Sequence, residues 1–177
     1  ELLEALAGIQ RRGGDLHPGS VVEFGWAPLR IETQGADWVV CEPDFGAEPM
    51  RWHPGVDTTL EVLDRQLGLV RLLGLRPTAA HWNQRVLVAP GARQAQEVFF
   101  ERSSPADEQD TGWYIGVDRP GADPDRRQAH AMTVGELAAA QPAWLTPLTL
   151  PVGYFVSFAH GQVRQVMDPQ DREVFPA

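Results

Sequence analysis

Residues 110–120 read "DTGWYIGVDRP". Trp113, Tyr114 and Ile115 are strongly strand-favouring side chains in a row. Acids frame them, with Asp107, Glu108 and Asp110 before or at the start and Asp118 after. The run predicts a β-strand between two polar connections. The acids admit three readings: a carboxylate reaction centre, a docking rim for a partner, or a solvated loop. Two further strand patterns precede it, "RVLVA" (85–89) and "QEVFFER" (96–102), with "PGA" (90–92) as the turn between them.

Working outward, the spacing predicts a helix over 58–74. Thr58 followed by Glu61 is a capping-box pattern. Leu60, Leu63, Leu67, Val70 and Leu73 recur at three- and four-residue steps. Gly74 suits the C-terminal cap, and Pro77 blocks continuation. A first helix is expected at 1–11, with Leu2, Leu3, Leu6 and Ile9 on one face. "SVVEFGWAPLRI" (20–31) reads as extended and bent at Gly25 and Pro28. "TQGAD" then turns it into the strand "DWVVCE".

Downstream, 118–131 carries Pro120, Gly121 and Pro124 and reads as a flexible loop. Thr133 and Glu136 form a second capping-box pattern opening a short helix that Pro142 closes. "PAWLTPLTLP" is too rich in proline for regular structure on this reading. The chain ends in a hairpin, "GYFVSF" and "QVRQVMD", turned at His160-Gly161. Tyr154, Val156 and Phe158 alternate onto one face and Phe155 onto the other. Strands joined by hairpins and mixed with helices imply an α+β fold: an antiparallel sheet with helices packed on one side.

Composition removes several function classes. The 177 residues are 43% hydrophobic and 22% charged, which suits a folded core without disulfides or metals. The formal net charge is −9, which disfavours nucleic acid as a partner. Residues 101–125 hold seven acids (Glu101, Asp107, Glu108, Asp110, Asp118, Asp123, Asp125) against Arg102 and Arg119. A basic protein partner would be steered to such a stretch, and the plainer reading is a solvated loop. All fifteen basic residues are Arg, so phosphate-loop, Schiff-base and kinase-type lysines are excluded. The single Cys41 sits in an apolar run and reads as a buried small hydrophobe. No apolar run is long enough to span a bilayer, and no signal peptide is visible. A cytoplasmic protein is expected, and the start at Glu1 leaves room for an upstream segment.

Catalytic motifs are sparse. Asp107, Glu108 and Asp110 lack the twelve-residue calcium-loop pattern, and sequence cannot supply the spatial separation that paired glycosidase acids need. His17, His53, His81, His130 and His160 show no His-x-x-x-His spacing. No serine lies in a Gly-x-Ser-x-Gly elbow. No cofactor or metal is implied. Of the six tryptophans (26, 38, 52, 82, 113 and 144), four or more are expected in the core. Trp52 and Trp82, in loop-like contexts, are the candidates for exposure.

One family is suggested by a series of short elements. An acidic segment leads into Asp-Thr-Gly-Trp (110–113) and a strand. "MTVGEL" follows, then a proline-rich stretch to "LPVGYFVSF", then "VRQVMD". Over about residues 98–168 the chain resembles the DUF2185/Imm33-type immunity-protein domain of bacterial polymorphic toxin systems. Asp110, Gly112, Trp113, Pro151 and Gly153 match its motif. A structural role is expected for Gly112, Trp113, Pro151 and Gly153. The resemblance implies a non-catalytic protein that neutralises a cognate toxin by binding it, with 98–177 as the family-like domain; residues 1–97 are an α+β region of unplaced family, either a separate unit or packed as one with the rest. Asp107, Glu108, Asp110 and Asp118 are the candidate partner-binding residues. The alternative is a small-ligand-binding protein or enzyme whose site forms no sequence motif.

Overall fold

Gly25, with φ +65°, reverses the chain between β1 (Val21–Phe24) and β2 (Ala27–Gln34), so the expected bend is a full hairpin. Pro28 lies inside β2, opposite Glu23. Gly35 turns β2 into β3 (Asp37–Asp44), and β4 (Arg51–Pro54) completes a four-stranded antiparallel sheet in the order β1-β2-β3-β4. These coordinates are those of a computed structural model, in which residues 2–12, 14–118 and 126–175 are described. The polar part of the expected loop at 119–125 lies outside the described residues. Within its span, Arg126–Gln128 form a 3-10 turn, and β8 (His130–Thr133) begins before the loop was expected to end.

The larger sheet has seven strands. They are β5 (Arg85–Val88), β6 (Glu97–Arg102), β7 (Asp110–Val117), β8, β9 (Phe155–Ala159), β10 (Gln162–Met167) and β11 (Glu173–Phe175). Their order is β11-β10-β9-β6-β7-β5-β8. The strand of the opening stretch, β7, therefore lies inside the sheet. It pairs antiparallel with β6 and parallel with β5. The "PGA" turn does not join a hairpin, because β7 inserts beside β5 where β6 was expected. The fold is α+β, with this one parallel pair inside an otherwise antiparallel sheet. His160 (φ 51°) and Gly161 (φ 78°) make the expected tight turn between β9 and β10.

Helices α1 (Leu2–Arg11), α2 (Asp57–Leu72) and α3 (Val134–Ala140) join the sheets, together with a 3-10 turn over Ala92–Gln94 and a 3-10 helix over Pro142–Thr149. That helix corrects the expectation of irregular chain. Pro142 sits at its first turn, where no amide partner is needed. Trp144, Leu145 and Leu148 anchor it in the core.

The two Thr-x-x-Glu patterns have different fates. Thr133 and Glu136 form the full capping box of α3. Thr58 makes no cap. The carboxylate of Glu42, in β3, accepts instead from the amides of Thr58 (3.1 Å) and Thr59 (2.7 Å). At the other end, Gly74 (φ +65°) closes α2 in a Schellman motif, its amide donating to Arg71 and that of Leu75 to Val70.

The buried stripe of α2 is Thr59, Val62, Gln66, Leu69 and Val70, offset from the expected one. Leu60, Leu63 and Leu67 form a second flank beside Leu2 and Phe24, and Leu60 remains 37% exposed. On α1, Leu3 points outward, at 77% exposed. One buried cluster joins Trp26, Ala27 and Val62 to Val86, Phe100, Trp113, Leu137 and Val166. Trp26 ties the small sheet to it, donating its Nε1–H to Thr59 (3.3 Å) while its carbonyl accepts from the Trp82 amide (2.8 Å). Three tryptophans (26, 113 and 144) are buried, and Trp82 is half-buried against the core. The exposed one is Trp38, at 54%, not Trp52 or Trp82. Cys41 is buried, as expected.

Candidate docking face

Alternation along the strands gives the large sheet two unlike faces. Val86, Val88, Val98, Phe100, Trp113, Ile115, Val156 and Phe158 turn toward α2, α3 and the 3-10 helix and are buried. The intervening residues make the outer face. The strand registers line up one row across six strands: Met167, Phe155, Glu101, Tyr114, Leu87 and Ala131. Phe99 lies beside the row, stacked on Phe155 with ring centres 5.4 Å apart and tilted against Tyr114 at 5.8 Å. Its ring rests on Gly116, where a Cβ would come within 2.3 Å of it. Leu87 is 39% exposed. Arg126 covers Tyr114, with Cζ 4.8 Å from the ring centre, and pairs with Glu101.

Carboxylates stand at both ends of this face. At one end, Glu97 and Asp118 are exposed side by side, the Asp118 amide donating to the Glu97 carbonyl at 3.0 Å. At the other end lie Asp107 and Glu108, also exposed. Asp107 pairs with Arg85 at 2.8 Å. That guanidinium, with the Gln109 amide, holds the Asp107 carboxyl below its ordinary pKa. Among the described residues no ion pair joins Glu97, Glu108 or Asp118 to a cation. Asp110 is half-buried and serves the loop itself, accepting from the amides of Ala106 and Gly112, both at 2.8 Å. Asp107, Glu108 and Asp110 are thus together. Asp118 is a strand length away, about 25 Å at roughly 3.3 Å per residue.

The four residues expected to be structural surround a group the sequence reading treated only as a charge. Arg102 is 4% exposed. Its Nε–H donates to the Thr111 carbonyl at 3.0 Å, and its Nη1 to the carbonyl of Leu150, which precedes Pro151. The Gly153 amide donates to the Arg102 carbonyl at 2.8 Å. Trp113 lies under the guanidinium, 5.6 Å from Cζ, and its indole N–H donates to Leu148 at 3.1 Å. Gly112 has φ +75°, and a Cβ there would sit 2.1 Å from the Ser103 carbonyl oxygen. Burial lowers the Arg102 pKa from its ordinary value, and the nearby Asp110 charge opposes that. The signal for this inward arginine was the alternation Val98, Phe100, Arg102 on β6.

Among the described residues no three His, Cys, Asp or Glu side chains gather within reach of one metal ion. The histidines are dispersed: His53 lies 3.7 Å from Glu42 and His81 3.7 Å from Glu23. His130 lines an open groove of about 500 Å³ with Arg93 and Glu136, and Glu136 is already engaged at the α3 cap. What the outer face can do is make contact, with apolar side chains flanking the Arg126–Glu101 pair and a negatively charged rim.

A family model, that of the Imm33-like domain, matches residues 65–169. The match runs from the middle of α2 through β10, and so contains the whole outer row. It begins upstream of the stretch that carried the sequence resemblance. No curated protein and no solved structure matches the chain.

Proposed function

Because the chain belongs to the Imm33-like domain family, we propose that it is an immunity-type protein that neutralises a bacterial toxin by binding it, without catalysing a reaction. The outer face of the seven-stranded sheet is the docking surface. The observation that carries this reading is the row from Met167 to Ala131, which crosses six strands inside the family match, with apolar side chains on both sides of Glu101 and exposed acids beyond both of its long edges.

Leu87, Phe155 and Met167 supply apolar area that a partner can desolvate, on either side of the Arg126–Glu101 pair that covers Tyr114. Asp107, Glu108 and Asp118 form the rim, which steers a basic partner and sets its orientation more than it adds affinity. Asp110 acts indirectly by fixing the loop that displays Asp107 and Glu108. The toxin face it fits is an apolar patch bordered by Arg or Lys. Among the described residues no helix is long and apolar enough to cross a membrane, and the protein acts in the cytoplasm on this reading.

Co-expression tests it. A toxin encoded beside the gene should arrest growth alone and be tolerated when this chain is co-expressed. Arrest in both cases, with the chain present at comparable levels, would overturn the reading.

A further inference from the structure

On the helix side of the large sheet, away from the docking face, a cleft of about 210 Å³ opens between the β1–β2 turn, α2 and the segment 77–80. We propose that it binds a small uncharged aromatic molecule carrying one hydrogen-bonding group. The inference does not depend on the toxin reading.

Size and polarity set the ligand class. An apolar cavity of roughly 150 Å³ holds benzene, so this one suits a ring with one or two small substituents. The walls are Trp26, Leu63, Leu67 and Pro77 among others, and among the described residues no ionisable side chain lines the cleft. A charged ligand would be desolvated there without a counter-charge.

The walls resist collapse. Trp26 is pinned by its Nε1–H bond to Thr59 (3.3 Å) and by contact with Phe45, ring centres 5.7 Å apart. Gly25, at φ +65°, sits so close to Leu63 that a Cβ would come within 2.8 Å of its Cδ1.

Two buried polar side chains line the cleft. The Gln66 amide nitrogen is committed to the Leu145 carbonyl at 2.9 Å. Thr149 is 6% exposed, and among the described residues its hydroxyl has no hydrogen-bond partner. Its carbonyl is already used by the Thr78 amide at 2.8 Å. A buried hydroxyl without a partner is costly; this one is sealed behind the wall of the cleft, and a ligand hydroxyl or N–H would supply its partner once the Thr149 side chain turns toward it.

The test uses p-cresol and p-xylene, two rings of the same shape that differ by one hydroxyl. Binding is followed on the Trp26 indole N–H resonance of the full chain, with no partner protein present. The expected result is saturable binding of p-cresol, about three- to ten-fold tighter than p-xylene, the usual range for one hydrogen bond. Thr149→Val should make the two probes equal. Ala79→Leu, which fills the cleft from its rim, should remove both while the circular dichroism is unchanged. Absence of saturable p-cresol binding to the native chain would overturn the proposal. So would p-cresol binding that survives Ala79→Leu, or an undiminished preference in Thr149→Val. Should the Thr149 variant fail to fold, the two probes on the native chain and the Ala79 variant still decide.

Discussion

The guanidinium of Arg102 lies over the indole of Trp113, 5.6 Å from its ring centre, and both groups are buried. This pair fastens the end of β6 to the 3-10 helix: Arg102 reaches the Leu150 carbonyl while Trp113 reaches that of Leu148. Arg102→Ala should therefore lower unfolding stability by about 3 kcal/mol, because buried carbonyls lose a charged donor. Arg102→Lys should recover little, since an ammonium cannot reproduce the planar fork. Urea titration checks both.

Gly112 and Gly35 share positive φ but not surroundings. A Cβ at Gly112 would meet the Ser103 carbonyl oxygen at 2.1 Å, whereas Gly35 has nothing within 4 Å. Gly35→Ala should cost about 1 kcal/mol, the conformational penalty alone. Gly112→Ala should cost at least about 3 kcal/mol, because the strand must also move away from Ser103. Equal losses in thermal unfolding would contradict the close approach.

Glu42 links the small sheet to α2 and should make that link pH-dependent. Burial raises its pKa, but hydrogen bonds from Thr59 and Thr58 outweigh this and leave it below the ordinary value. A carboxyl with a depressed folded pKa contributes stability that is complete above its unfolded pKa. That contribution is lost as pH falls through the folded one. Acid unfolding of the native chain should thus include a Glu42 component below the ordinary glutamate range. Glu42→Ala should remove that component and cost about 1–2 kcal/mol at neutral pH, the scale of a helix cap.

Strands β5, β6, β7, β9 and β10 and the His160-Gly161 turn were legible because they depend on alternation and on turn chemistry within a few residues, whereas the short edge strands β8 and β11 were not. Thr58 and Thr133 show where that legibility stops. Both head the same Thr-x-x-Glu pattern, yet α2 is capped by Glu42, sixteen residues before Thr58 on a strand, a contact no local pattern encodes. The parallel pairing of β5 with β7 was hidden for the same reason. At the candidate site the acids were visible and the outer row was not. Leu87, Tyr114 and Phe155 are far apart in the chain, and only the strand registers set Leu87 against Tyr114 and Phe155 two strands on, across Glu101. Arg102 was hidden among surface charges, although the parity of β6 pointed it inward.

The central claim is that the outer face docks a toxin, and affinity measured on that face tests it most directly. The toxin encoded beside the gene should be titrated by calorimetry against the native chain, Leu87→Arg and the double variant Glu97→Arg/Asp118→Arg. These three positions are exposed, so the variants should keep the native unfolding temperature. A tight complex is predicted for the native chain. Leu87→Arg should weaken it at least about 100-fold, as loss of a central contact does. The charge-reversed pair should slow association about ten-fold and reduce its salt dependence. A complex of undiminished affinity in all three chains, or no complex with the native one, would contradict the assignment.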